Sequence, residues 1–166
     1  MNMKPTVVVY GSSTGTCASI AQAIAEKLGV KAIDAAELNA DTIKDNDNLI
    51  LGTSTWGAGE MQDDWYDAVK VIKAEGLAGK TVAVFGCGDS EAYSDTFCGG
   101  MKELYDAAKA AGAHMIGAVD ATDYSFEDSD AAVDGQFVGL ALDDVNEDDK
   151  TAPRIDAWIE EIKPNL

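Results

Sequence analysis

Short apolar runs alternate along this chain with stretches in which apolar residues recur at every fourth position. The run at 6–10 is rich in β-branched residues and ends at a glycine, which is typical of a strand buried on both faces. Ile20, Ile24 and Leu28 then lie on one face of a predicted helix, and Gly29 ends that helix. The start of the chain therefore predicts a strand followed by an amphipathic helix.

The same alternation continues to residue 119 and returns at the end of the chain. It predicts further strands at 30–33, 48–51, 81–85 and 115–119, and further helices around 65–72, 101–108 and 155–162. We expect Thr151 to be the N-cap of the last helix, with Pro153 in its first turn. Strands that alternate with helices predict a parallel sheet with helices on both faces.

The rhythm breaks between residues 120 and 150, where acidic residues surround a second apolar patch at 137–142. We interpret this region as a fifth strand that a surface loop interrupts and that resumes near Leu140. No internal repeat, low-complexity tract or linker divides the chain. We therefore expect one doubly wound α/β domain over residues 4–164, built on a five-stranded parallel sheet.

The charge of the chain narrows the choice of partners. The sequence has 12 Lys plus Arg and 30 Asp plus Glu, which gives a formal net charge of -18. Such a surface repels phosphate backbones and anionic lipids, so we expect neither nucleic-acid nor membrane binding. It attracts basic partner proteins instead, at rates that fall as salt is added.

Cysteine and histidine usage excludes several kinds of chemistry. Cys17, Cys87 and Cys98 show no CxxC spacing, which disfavours zinc and iron–sulfur sites and indicates a reducing cytoplasm. The single histidine, His114, argues against histidine-rich metal sites and a Ser-His-Asp triad. We interpret these four residues as structural, with an exposed Cys17 thiol left open. The apolar run at 7–10 is too short for a signal peptide or a membrane span.

The loop at 11–17 leads from the first strand into the first helix and reads Gly-Ser-Ser-Thr-Gly-Thr-Cys. It matches neither GxGxxG nor a Walker A loop. Its hydroxyls and the helix N-terminus nevertheless favour an anion. The nearest later basic residue is Lys27, so a phosphate here is expected to be held without a cation. The alternative is an ordinary Ser/Thr-rich N-cap loop.

Two further loops follow predicted strands, and each carries an aromatic residue among small ones. Trp56 lies in the loop at 53–60, and Tyr93 follows the glycine-rich start of the loop at 86–93. Loop aromatics of this kind are suited to stacking on a flat ring. Together with the first loop they suggest a ligand with a planar ring system and a phosphate tail. The alternative is that Trp56 folds back onto the helix that carries Trp65.

These motifs resemble those of flavodoxins. Gly-Ser-Ser-Thr-Gly-Thr at 11–16, Thr-Trp-Gly at 55–57 and Gly-Cys-Gly-Asp-Ser at 86–90 are similar to the family's phosphate loop and its two flavin-flanking loops. The stretch at 134–143 resembles the end of the extra loop in long-chain members. The resemblance implies strand order 2-1-3-4-5 with FMN at the point where the order reverses. It also implies a monomeric, low-potential, one-electron carrier that is not an enzyme and that cycles bound FMN between semiquinone and hydroquinone.

The resemblance also implies which residues meet FMN. They are Ser12, Ser13, Thr14, Gly15, Thr16 and Cys17 at the phosphate; Ser54 and Thr55 at the phosphate or ribityl chain; Trp56 and Tyr93 on the two faces of the isoalloxazine ring; and Gly57, Cys87, Gly88, Asp89 and Cys98 at its polar edge, with Phe97 beside Cys98 in the same loop. The family usually has Asn then Thr where this chain has Thr16 and Cys17, so at Cys17 the backbone N–H is the expected donor.

Two other classes of function use related folds. An NAD(P)H-dependent flavin or quinone reductase needs a nicotinamide pocket, normally with basic residues, and these loops are almost free of them. A receiver-type signalling module needs an aspartate at the end of the third strand, where this chain has Gly52 and Thr53. Oxidation of NADPH without an added reductase is the observation that favours the reductase.

Overall fold

A computed structural model describes residues 4–11, 15–56, 60–61, 64–88, 98–120, 124, 129, 131–133, 135–143 and 147–166, with the side chains of residues 55, 56, 60 and 61 left aside. Strands and helices alternate as the hydrophobic pattern predicts. In chain order the elements are β1 (Thr6–Gly11), α1 (Thr16–Leu28), β2 (Lys31–Asp34), α2 (Ala40–Asp45), β3 (Asn48–Trp56), β4 (Glu60–Met61), α3 (Asp64–Glu75), β5 (Thr81–Cys87), α4 (Gly100–Ala110), β6 (His114–Ile116), β7 (Val119–Asp120), β8 (Ala132–Val133), β9 (Gln136–Phe137), β10 (Leu140–Leu142) and α5 (Asp148–Ile162).

The central sheet is parallel, with β1 between β2 and β3 and with β5 on the far side of β3. The fifth position, beside β5, is shared by two strands. β6 pairs with the first half of β5, at Thr81↔His114, and β10 pairs with the second half, at Leu142↔Cys87. The predicted order 2-1-3-4-5 and the interrupted fifth strand are therefore confirmed.

The two faces of the sheet pack against different helices. Val8 in β1 points to the face that α1 and α5 cover, whereas its neighbours Val7 and Val9 point to the face covered by α3 and α4. Alternate residues of one strand thus enter two separate apolar clusters, as expected of a strand buried on both sides. No helix in the described part of the chain is long and apolar enough to cross a membrane.

The segment between β6 and β10 forms a second, small antiparallel sheet in the order β7-β9-β8. Phe137 of β9 is fully buried and joins the apolar cluster of α3 and α4, while Val133 of β8 is exposed. The inserted segment therefore packs on the side of the main sheet that α4 covers.

Two features of the predicted helices need correction. Thr151 is not the N-cap of the last helix, because α5 begins at Asp148 with Glu147 at the N-cap position, and Pro153 therefore lies inside the helix rather than in its first turn. Asp148 and Asp149 occupy the first turn, where their negative charges interact favourably with the positive end of the helix dipole. The pattern also missed α2, whose six residues are too few to show a helical period. Asn39 caps α2 by accepting a hydrogen bond from the Thr42 N–H at 3.1 Å.

Candidate functional site

The carboxyl ends of the central strands lie side by side in one register. Gly11 of β1 pairs with Thr53 of β3, Thr53 pairs with Gly86 of β5, and Gly86 pairs with Ala141 of β10. The chain leaves β1 toward β2 on one side and returns to β3 on the other, so the order reverses between β1 and β3. In open α/β sheets a ligand crevice lies outside the carboxyl ends at this reversal.

Helix α1 begins at this crevice with a glycine. Gly15 is its N-cap and has φ +92°. Among the described residues, a Cβ built on Gly15 would meet nothing within 4 Å. The N-terminus of a helix presents backbone N–H groups and the positive end of the helix dipole to an anion.

The structure describes only part of the first loop, namely residue 11 and residues 15–17. Ser12, Ser13 and Thr14 lie outside the described residues, so their predicted contacts remain predictions. Thr16 is half-buried in the first turn of α1, and Cys17 beside it is fully buried. The exposed Cys17 thiol that the sequence left open is thus absent, and Cys17 has only its backbone to offer a ligand.

The thiol of Cys17 belongs to the interior between α1 and β5. It packs in the same apolar cluster as Cys87. Hydrogen bonding to the Cys87 thiol and burial raise the pKa of Cys17 well above its usual value. The thiol is therefore neutral at physiological pH. Because it faces the core, a ligand at the α1 N-terminus can meet the backbone N–H of Cys17 but not its side chain.

The predicted second loop at 53–60 is in part strand, because β3 extends to Trp56. Thr53 is buried and its Oγ1 donates to the Ser54 carbonyl at 2.8 Å, while Ser54 is half-buried and pairs with Cys87. Thr55 and Trp56 continue β3 and pair with β4 in an antiparallel hairpin. Their side chains and all of Gly57 lie outside the described residues, so the stacking of Trp56 on a ligand stays a prediction.

The alternative for Trp56 concerned the helix that carries Trp65. Trp65 is fully buried in α3, and its indole Nε1–H donates to the Gly52 carbonyl at 2.7 Å. This hydrogen bond ties α3 to β3 immediately before the second loop.

The third loop is anchored at both of its ends by one carbonyl. The Leu142 oxygen of β10 accepts from the Gly88 N–H at 2.9 Å, and the Cys98 Sγ lies 3.8 Å from the same oxygen. Cys98 is fully buried and has φ +54°, and among the described residues it alone has a positive φ without being glycine. Asp89, Tyr93 and Phe97 lie between these anchors, outside the described residues.

The environment of Cys98 holds its thiol neutral. Burial raises the pKa of Cys98 well above its usual value, and the neighbouring Cys87 raises it further. The hydrogen bond with Leu142 and the positive charge of Arg154 act in the opposite direction and lower the pKa, but the raising effects are larger. The structure thus brings Cys87, Gly88 and Cys98 together at the end of β5.

Charged groups that the sequence did not single out lie beside this end of the sheet. Asp143 follows β10 and is fully buried. Arg154 of α5 has a side chain that is 10% exposed, and its Nη1 lies 3.2 Å from Glu147 Oε1. The Cζ of Arg154 lies 3.8 Å from the centre of the Tyr124 ring. The one available signal was that Arg154 is the only arginine in the sequence.

The strand ends, the helix N-terminus beside them and the anchored ends of the third loop define a doubly wound α/β protein of the class that binds nucleotides and flavins at its switch point. The chain belongs to the flavodoxin family: residues 8–158 match the family described as Flavodoxin. It is 39% identical over 159 residues to flavodoxin 1 of Azotobacter vinelandii, covering 92% of this chain and 91% of that protein. It is 36% identical to flavodoxin 1 of Escherichia coli over 168 residues, covering 99% and 96%.

Solved structures give the same result. A crystal structure of Fusobacterium nucleatum flavodoxin bound to flavin mononucleotide superposes with a TM-score of 0.92 and 30% identity, covering 99% of both chains. The predicted fold and family are confirmed. Flavodoxins are electron-transfer flavoproteins and not enzymes, so the prediction of an electron-transfer protein is confirmed as well.

Proposed function

We propose that this chain carries electrons one at a time on non-covalently bound FMN. The observation that carries the proposal is the N-terminus of α1, with Gly15 at its N-cap, at the reversal of strand order in a chain of the flavodoxin family. When bound, FMN supplies the one-electron chemistry. The protein binds the phosphate, positions the ring and controls which groups reach it.

The described residues fit the phosphate of FMN. The nearest described cation along α1 is Lys27, in the last turn, which is 12 residues beyond Gly15 and thus about 18 Å away along the helix axis. Lys27 is also paired with Asp156 of α5. A phosphate at the α1 N-terminus is therefore held by backbone N–H groups and hydroxyls, which satisfy its oxygens without a neighbouring cation.

The remaining contacts follow from the family motifs. We assign the phosphate to residues 12–17, the ribityl side to Ser54 and Thr55, and the polar edge of the ring to Gly57, Cys87, Gly88, Asp89 and Cys98, with Phe97 in the same loop. Trp56 and Tyr93 cover the two faces of the ring. The support in the described residues is that Gly15, Ser54, Gly88 and Cys98 lie at the carboxyl edge of neighbouring strands.

The net charge of -18 supports partners with a basic docking surface, such as reductases and oxidoreductases that exchange electrons with flavodoxins. We further propose a cytoplasmic monomer made of one domain over residues 4–164. Three free, buried thiols support the reducing compartment, and two apolar clusters on one shared sheet support the single domain.

The phosphate site is tested by comparing FMN with riboflavin, which lacks the phosphate. We expect FMN to bind far more tightly. Thr14→Ala removes one donor to the phosphate and is expected to weaken FMN by about 1.5–3 kcal/mol, or roughly 10- to 150-fold, while riboflavin affinity stays unchanged. Thr42→Ala, in α2 and remote from the crevice, is the matched control. Equal affinities for FMN and riboflavin would contradict the assignment.

A further inference from the structure

The inserted segment between β7 and β10 is held to the main sheet through Tyr124. The Tyr124 hydroxyl donates to the Ala141 carbonyl of β10 at 2.7 Å. Its ring packs edge-on against Phe137, with ring centres 4.8 Å apart. The guanidinium of Arg154 covers the other part of the ring, with Cζ 3.8 Å from its centre. Tyr124 thus joins β10, β9 and α5 at one point.

Arg154 is itself fixed in place. Its side chain is 10% exposed and its Nη1 lies 3.2 Å from Glu147 Oε1 at the start of α5. Glu147 also pairs with Lys150, at 3.1 Å. A planar guanidinium stacked on an aromatic ring and paired with a carboxylate holds both partners in a defined geometry. Lys150 shares the Glu147 carboxylate with Arg154.

The strand that Tyr124 holds is also the strand that anchors the third loop. Ala141 is followed by Leu142, whose carbonyl accepts from the Gly88 N–H and lies 3.8 Å from the Cys98 Sγ. The two ends of the loop at 88–98 therefore depend on where the end of β10 lies. A contact that fixes Ala141 fixes the next carbonyl along the backbone.

We propose that Arg154 is a positioning residue for Gly88 and Cys98: by holding Tyr124 against the end of β10, it fixes the Leu142 carbonyl that anchors both residues. The inference rests on the proposed function in one respect, since in that proposal the loop at 88–98 meets the flavin ring. The effect of Arg154 on the positions of Gly88 and Cys98 does not depend on the ligand. Through β10, the inserted segment thereby acts on the ring side of the site.

The direct test measures how fast each cysteine reacts with iodoacetamide in the flavin-free protein, by mass spectrometry of the peptides. We expect Arg154→Met and Tyr124→Leu to accelerate alkylation of Cys98 by about fivefold or more, because a loosened anchor exposes its buried thiol. Cys17, buried in α1 and hydrogen-bonded to Cys87 beside Gly88, is the internal comparison, and we expect it to accelerate less than Cys98. Loss of the Arg154 charge by itself would slow alkylation, because this charge lowers the pKa of Cys98 and its removal leaves less of the reactive thiolate.

Matched variants separate positioning from general stability. Lys150→Met removes a positive charge and a Glu147 partner one helix turn before Arg154, and we expect it to behave as the unmodified protein. Tyr124→Phe keeps the ring and removes the hydroxyl that donates to Ala141, so it gives a smaller acceleration and serves if the larger changes prevent folding. The proposal is wrong if Arg154→Met matches Lys150→Met, or if Cys17 accelerates by the same factor as Cys98.

A second readout concerns the ligand. A loosened ring loop weakens FMN and riboflavin by the same factor, whereas damage to the phosphate loop weakens FMN alone. We expect Arg154→Met to raise both dissociation constants equally. A change confined to FMN would overturn the placement of this effect at the ring. Failure of the unmodified protein to bind either flavin would refute the proposed function and leave the alkylation result to decide on Arg154.

Discussion

Gly52 shows how a single residue can be required by close packing. It lies in the middle of β3, in register with Phe85 of β5, and its carbonyl accepts the Trp65 indole hydrogen bond at 2.7 Å. A Cβ built at this position overlaps the Phe85 ring. The sequence marked Gly52 only as the end of a strand, because which ring covers a glycine depends on the pairing of distant strands.

Gly52→Ala is expected to destabilise the protein by about 1–3 kcal/mol, because the added methyl group must displace a fully buried ring. The measurement is urea unfolding of the flavin-free protein. In a Phe85→Leu background the same change is expected to cost clearly less, since the smaller side chain leaves room for the methyl group. Equal costs in the two backgrounds would show that the ring does not set the requirement for glycine.

The buried thiols are expected to make stability depend on alkaline pH. Burial raises the pKa of Cys98, and hydrogen bonding to Cys87 together with burial raises the pKa of Cys17. Because these values are higher in the folded state, the unfolded chain loses its thiol protons first as pH rises. The stabilisation is complete below about pH 8.5 and decreases above it, by up to about 1.4 kcal/mol per pH unit for each thiol.

Cys98→Ala removes one of these groups. Between about pH 9 and about pH 10 the free energy of unfolding of this variant is expected to fall less steeply than that of the unmodified protein, by up to about 1.4 kcal/mol per pH unit. The comparison uses urea unfolding under reducing conditions. Parallel slopes would mean that Cys98 titrates alike in the folded and unfolded chains.

At the scale of the elements, the long periodic segments were predictable and the short ones were not. The apolar patch at 137–142 predicted the resumed fifth strand, and β10 lies there. The two-residue strands β7, β8 and β9 are too short to show any alternation. The start of α5 was misplaced because Thr151 followed two residues later by Pro153 is a pattern typical of an N-cap and first turn. The helix instead begins among acidic residues, at Asp148.

We predict that the small sheet of β7, β8 and β9 is anchored to the rest of the protein through Phe137. Phe137→Ala is expected to cost about 3–5 kcal/mol, because the ring is fully buried in the cluster of α3 and α4 and packs edge-on against Tyr124. Val133→Ala, in the neighbouring strand, is the control and should change stability by no more than about 0.5 kcal/mol. If the two costs are similar, the inserted sheet is not anchored through Phe137.

For the whole molecule, sequence motifs predicted which loops meet at the carboxyl edge, since parallel strands fix where their ends lie. They could not predict the contacts of Tyr124 with Ala141 and Arg154, because these residues lie 17 and 30 positions away in sequence. Local patterns carry no information about such contacts. The charge of -18 is a property of the molecule that composition does determine, and it bears on docking.

Electron transfer to a basic partner protein is expected to be fast at about 10 mM ionic strength and to slow progressively toward about 300 mM, as the charges are screened. Stopped-flow mixing of the reduced protein with a basic redox protein gives the rate constants, and an acidic redox protein serves as control. The acidic partner should react faster, not more slowly, as salt is added. A rate with the basic partner that ignores ionic strength would exclude electrostatic docking.

The central claim is that this chain is a one-electron carrier on FMN, and an anaerobic reductive titration of the FMN-loaded protein followed by absorption tests it most directly. We expect a one-electron-reduced flavin to accumulate and persist before the fully reduced form appears, with no turnover when NADPH alone is supplied. Passage straight from oxidised to two-electron-reduced flavin, or steady oxidation of NADPH without an added reductase, would contradict the account.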